Sequence, residues 1–358
     1  MSTTEFEVYN ITSVIDMNST QIFIKQPWLD ITVDVYTRFT FVWQCIIAPP
    51  VCILGIAGNI ISMCVLHRDP NNKQQSVYFY LNSLLAFDIA FLGFSLVVST
   101  LKLIGNTDPS FVYNFSGYIL PFKGYIFMVL RHMIAMMLIV MSLERCMALV
   151  FPYTVKQSCV SKNPRFITAV SFVVAATYLL PFTGILGTVF NGDDNATDHH
   201  NSWNSFSNYL DSMEVLLFIE TIILHYIAPL TIFIINVAIV AAYRRFVTNR
   251  PESLKKHSKG DNQNRITLVV LGVASLYIVL TLPVLFINTL GFINPDYTMR
   301  GMYGTTFKFF IDIGDLFAQV YAATDFFIYI LVSRRYRQIF TSMVYSIAQV
   351  VVHKTATI

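Results

Sequence analysis

The chain has 358 residues, 55% hydrophobic and only 13% charged, with a net charge of +3 and mean hydropathy of +0.57. A soluble domain carries roughly 25% charged residues, so this composition, with its long apolar runs, excludes a water-soluble globular protein and points to one solvated by lipid. Nucleic acid is not an expected partner at so small a net charge.

Residues 1–42 are polar and mixed, and they carry the acceptor sequences Asn10-Ile-Thr and Asn18-Ser-Thr. They lack a basic start followed by a short apolar core, so no cleavable signal peptide is expected and the first membrane helix would direct insertion. Apolar stretches of spanning length, roughly 20 residues or more, follow at 43–66, 77–104, 118–150, 166–189, 213–240, 266–292 and 303–332. Each is too long for a membrane strand and lacks its alternation, so seven helices are expected. Span one holds Gly58-Asn59 and span two holds Asp88 in Leu84-Leu85-Ala86-Phe87-Asp88. Asn114-Phe-Ser follows span two, and span three carries Lys123, Phe127, Arg131 and His132 before ending in Glu144-Arg145-Cys146. Asn195-Ala-Thr and the pair His199-His200 lie after span four; span five holds Glu220, His225 and Pro229, and span six Pro283. Span seven carries Lys308, Asp312, Asp315, Gln319 and Asp325 and ends at Tyr329.

Ionisable groups at such depth are costly when they face lipid, so spans three and seven face a bundle interior or a wet cavity, or use their polar groups to hold helices together. After the last span, Tyr336, Ile339, Phe340, Met343, Val344 and Ile347 recur at helical spacing behind Arg334, Arg335 and Arg337. This pattern predicts an amphipathic helix on the membrane surface. The expected organisation is an extracellular segment 1–42, a seven-helix domain 43–332 and a cytosolic helix and tail 333–358.

Two signals set the orientation. Segments after spans one, three, five and seven are basic, with seven Lys and Arg residues between 244 and 265 alone, whereas the opposite segments hold only Lys25, Arg38 and Arg300. The positive-inside rule therefore places the N-terminus outside. The four glycosylation acceptors, Asn10, Asn18, Asn114 and Asn195, all fall on that outer side, where the modification is possible.

The five cysteines sit in or beside spans rather than in a long polar loop, which excludes a disulfide-stapled ectodomain. No zinc spacing, H-E-x-x-H, G-x-S-x-G or phosphate-loop pattern occurs, so no metal site, cofactor or catalytic residue is expected. No internal repeat supports a transporter, although a transporter or channel remains the alternative of another class.

Taken in order, Gly58-Asn59, Asp88, Glu144-Arg145-Cys146 with Pro152 seven residues after the arginine, Pro229, Pro283 and Asp325-Phe326-Phe327-Ile328-Tyr329 resemble the rhodopsin-like family of G-protein-coupled receptors. The resemblance runs from about residue 55 to residue 340. It implies a plasma-membrane receptor in which Arg145 pairs with Glu144 at rest and turns to a heterotrimeric G protein on activation, with Tyr329 and Asp325 in the same relay. It also implies a polar core of Asn59, Asp88 and Asp325, either a network or a sodium site, and a kink at Pro283 that is a lever or a static bend.

Departures from the pattern mark a divergent branch. Leu120 stands where the family has the span-three cysteine, and 191–211 has no cysteine to pair with it. Thr281 replaces a tryptophan, Phe326 a proline and Val237 a tyrosine, and span four lacks tryptophan. Phe127 at the amine-binding aspartate position argues against a biogenic amine, and Gln319 at the retinal lysine position excludes retinal. The ligand-facing candidates are Lys123, Phe127, Arg131, Glu220, His225, Asp312, Asp315 and Gln319. Their mixed charge suits a short peptide, or else pairs internally, as Arg131 with Asp315 would. Segments 325–329 and 333–340 are most similar to invertebrate neuropeptide receptors of the FMRFamide-receptor type. A chemosensory receptor for small environmental molecules is the alternative within the family.

Overall fold

The computed structural model describes residues 30–69, 76–107, 109–151, 158–179, 218–248, 259–298 and 301–356. Among these residues there is no strand. Six of the described helices are long and apolar enough to cross a membrane, and Pro164–Leu179 supplies the described part of span four. The spans close into a ring. Span one packs on spans two and seven, span two on three, span three on four and five, and span six on five and seven.

Burial follows lipid rather than water. Leu54, Leu230, Ile234 and Leu331 are more than half exposed on the outside of the bundle, while Asn59, Asp88 and Asp325 are wholly buried within it. Span three is the hub. Met133, Met137 and Met141 recur every four residues and are completely buried with Leu138, the i, i+4 stripe of a helix that meets neighbours along its length. Flexible, polarisable methionines fill the gaps that irregular crossings leave.

Helix ends differ from expectation in instructive ways. Span one begins at Val33, ten residues before its apolar run, because Thr32 caps the helix and Asp34 and Arg38 pair across one turn. Span three starts at Pro109, as part of Pro109–Val150, so Asn114 lies within a helix rather than in a loop. Pro109 explains this: proline is pre-shaped for the first helical position. The side chain of Asn114 and residues Asn10, Asn18 and Asn195 lie outside the described residues.

Two π turns precede prolines. Val42–Ile47 comes before Pro49-Pro50, and Ile222–Ile227 before Pro229. In each, the closing N–H reaches five residues back, from Ala48 to Trp43 and from Ala228 to Ile223. A proline donates no hydrogen bond and its ring presses on the carbonyl four residues earlier, and a widened turn relieves both. Span six instead runs unbroken through Pro283, as Lys259–Ile293.

Span seven, Gly304–Val332, has phenylalanine where the family has proline, and the ring is used for packing. Phe326 lies against Gly58, where an added Cβ would stand 3.0 Å from it, and its ring meets Phe340 edge-on at 5.8 Å. Ser333 breaks the helix in an extended conformation and caps the next helix, Arg334–Ala356, by accepting from the Tyr336 N–H. Arg337 donates to the carbonyls of Ile330 and Leu331 at the end of span seven, and Arg335 pairs with Asp69. Tyr336 stacks on Tyr329 and shares a hydrogen bond of 3.0 Å with Ser62. Burial pushes its phenol up to about 12, so it stays neutral at physiological pH. Of the expected apolar stripe, Tyr336 is buried and Ile339, Phe340 and Met343 are half-buried, but Val344 is exposed. The helix is therefore docked to the bundle over its first turns, and the side chain of Ile347 lies outside the described residues.

Candidate functional site

Spans three, five, six and seven enclose a narrow cavity of about 40 Å³ whose lining includes Arg131, His225, Tyr277, Thr281, Gly314 and Tyr321. Arg131, in its wall, pairs with Asp315 of span seven at 3.0 Å. Gly314 makes that geometry possible. A Cβ there would stand 1.9 Å from Val284 Cγ2, so only glycine lets span seven lie this close to span six one residue beyond Pro283.

Glu220 and His225 reach the same place through the π turn. At 3.6 residues per turn, positions five apart on a regular helix point about 140° from each other. The five-residue step of Ile222–Ile227 brings both inward, where each is buried. Glu220 is within electrostatic reach of Arg131, Asp315 and Tyr277, and His225 of Arg131 and His132. Four of the eight ligand candidates, Arg131, Glu220, His225 and Asp315, thus form one charged cluster. Thr281 spends its hydroxyl on the carbonyls of Tyr277 and Ile278, both at 2.9 Å. It acts on its own helix, in the manner of bonds that bend helices.

The other candidates sit elsewhere. Phe127 packs edge-on against Phe91 and Phe94 of span two, each at 5.2 Å. Asp312 accepts from Tyr36 at 3.0 Å and Thr40 at 3.4 Å, so it faces span one. Three residues turn a helix by about 300°, which separates Asp312 from Asp315 by about 60°, enough to meet different neighbours. Gln319 is buried with its side-chain oxygen unpaired. The side chain of Lys123 lies outside the described residues.

Below the cavity is the polar core. Asn59 Nδ2 donates to the Ala322 carbonyl at 2.8 Å. The carboxyl groups of Asp88 and Asp325 face each other, wholly buried, and no donor among the described residues satisfies their oxygens. Two carboxylates cannot both hold charge in a dry interior unaided, so this pair requires a shared proton or a cation. The hydroxyls of Tyr321 and Tyr329 lie within electrostatic reach of both and have no partner either.

At the cytosolic end, Arg145 pairs with Glu144 at 3.7 Å, both buried. Ser76 and Ser161 donate to the same Glu144 oxygen. Sequence reading missed these two serines, because each meets Glu144 only through the fold. Ser161 is placed by the short helix Cys159–Lys162, which Tyr80 anchors through the Val160 carbonyl at 2.7 Å. Arg145 keeps Nε and one terminal nitrogen without a hydrogen bond, so few contacts hold it.

In comparison with known proteins, the family model described as "7 transmembrane receptor (rhodopsin family)" matches residues 58–329. No curated protein matches the chain.

Proposed function

We infer the function from one premise: the chain belongs to the rhodopsin family of seven-transmembrane receptors. It is a multi-pass receptor of the plasma membrane, a class that takes an extracellular ligand and passes the signal inward. We propose that its ligand is a short neuropeptide and its cytosolic partner a heterotrimeric G protein.

The observation that carries this reading is the Arg131–Asp315 pair, with Glu220 and His225 beside it, at the meeting of spans three, five, six and seven. Opposed charges in one apolar cleft suit a peptide, which brings charged side chains and a polar terminus together. Among the described residues the cavity holds only about 40 Å³, so a ligand group that enters between spans three and seven there competes with the Arg131–Asp315 pair. The ion pair is the tie across that gap. A ligand that competes for either partner loosens span seven and, through the Gly314 contact, span six. Pro283 leaves one carbonyl of span six without its helical donor, which makes that helix easiest to bend there. Movement of its cytosolic half would open the space into which Arg145 turns once it leaves Glu144.

A peptide library screened by calcium release through a promiscuous G protein tests this reading. At least one short peptide should activate the receptor, and Asp315→Ala should weaken that agonist at least tenfold, about 1.4 kcal/mol. Activation by small environmental molecules alone would support the chemosensory alternative. A ligand-dependent current in cells lacking G proteins would support a channel.

A further inference from the structure

Span seven is held in its outer half from two sides. Asp315 pairs with Arg131 of span three at 3.0 Å. Three residues nearer the outer end, Asp312 accepts from two hydroxyls of span one, Tyr36 at 3.0 Å and Thr40 at 3.4 Å, both at the same carboxylate oxygen.

The grip from span one is built into its sequence. Tyr36 and Thr40 are four residues apart and Phe39 lies between them, so all three share one helix face. Within Val33–Phe41 these three are half-buried and the other residues are exposed. Phe39 meets Phe309 at 4.6 Å between ring centroids, and the Ile31 N–H donates to Thr306 at 3.0 Å. Span seven is thus met at Thr306, Phe309 and Asp312, a contact at every third residue. The π turn Val42–Ile47 aims this face. It adds one residue to the coil, which turns the outer segment by about 100° relative to a regular helix.

Asp312 and Asp315 lie about 4.5 Å apart along the helix axis and about 60° apart around it. A helix held to different neighbours at two such points cannot roll without breaking one of the contacts. A carboxylate that accepts from hydroxyls makes charge-assisted hydrogen bonds, stronger than neutral ones. The bonds of Asp312 therefore restrict the rotation at which Asp315 meets Arg131.

We propose that Asp312 is a positioning residue rather than a ligand contact: through Tyr36 and Thr40 it ties span seven to span one and so keeps the Arg131–Asp315 pair together at rest. This rests on the reading of that pair as the tie between spans three and seven.

The test is ligand-independent G-protein activation by the full chain in cells, at matched surface density. Asp312→Ala should raise it at least about twofold, because losing one of two restraints shifts the resting population. Tyr36→Phe with Thr40→Val removes both donors, leaves span seven untouched and should do the same. Asp312→Asn keeps an acceptor oxygen without the charge, so it should stay near wild type. In an Asp315→Ala background, itself raised, Asp312→Ala should add nothing, since both act through one pair. The proposal is overturned by unchanged signalling in either Asp312→Ala or the hydroxyl variant, by an Asp312→Asn that behaves like Asp312→Ala, or by a further rise over Asp315→Ala. In each of these cases the tie between spans three and seven stands, provided that Asp315→Ala alone raises basal signalling. If Asp315→Ala alone changes nothing, the tie falls and this proposal with it. Should Asp312→Ala fail to reach the surface, the hydroxyl variant decides alone.

Discussion

In the function proposed above, the Arg131 guanidinium both ties span three to span seven and competes for a ligand. If the pair with Asp315 is the tie proposed above, exchanging the two charges should preserve it. Arg131→Asp or Asp315→Arg alone should raise basal signalling several-fold, and the double exchange should return it close to the wild-type level. Basal signalling that does not move in either single variant would remove the pair from the switching account. Sequence spacing could offer Arg131 and Asp315 as either partners or ligand contacts, and only three-dimensional placement brings them to 3.0 Å. It could not separate Asp312 from Asp315, because a helix face read by spacing is wider than the 60° or so that divides them. Glu220 and His225 were legible as candidates by residue type alone. Their shared orientation depends on a π turn, which has no 3.6-residue signature.

Among the elements, the contact between spans six and seven is the most exacting. Gly314→Ala would drive a methyl group into Val284. Overpacking of this kind costs ~1–3 kcal/mol, so the variant should melt several degrees lower in detergent. Val284→Ala added to it should restore most of that loss. A Gly314→Ala variant that melts like wild type would mean that the two spans are not in close contact. The spans were legible as long apolar runs, but their beginnings were not. Caps such as Thr32, and a first-turn proline such as Pro109, extend helices into polar sequence where hydropathy is silent. The amphipathic helix after span seven was readable from its stripe. Its docking was not, since it depends on Tyr336 reaching Ser62 and Arg337 reaching back to the end of span seven. The Phe326 side chain, a departure from the family pattern by sequence, becomes the packing element that joins spans one and seven to that helix.

At the scale of the molecule, the long apolar runs were enough to expect the bundle and the order of motifs on spans one, two, three, five, six and seven to expect the family, which the match over 58–329 establishes. Charge asymmetry set its direction in the membrane independently. All five cysteines are free thiols, so no bridge ties the outer end of span three to a loop. Treatment with a millimolar reducing agent should therefore leave surface density and agonist potency unchanged, within about twofold; a tenfold loss of potency would mean that a bridge exists. We propose that ligand binding in the outer half reaches the cytosol through Arg145, which pairs with Glu144 at 3.7 Å. The most direct measurement of this is agonist-driven G-protein activation in wild type and Arg145→Ala at matched surface density. The expected result is loss of the response in the variant while agonist still binds, and an undiminished response would contradict the account.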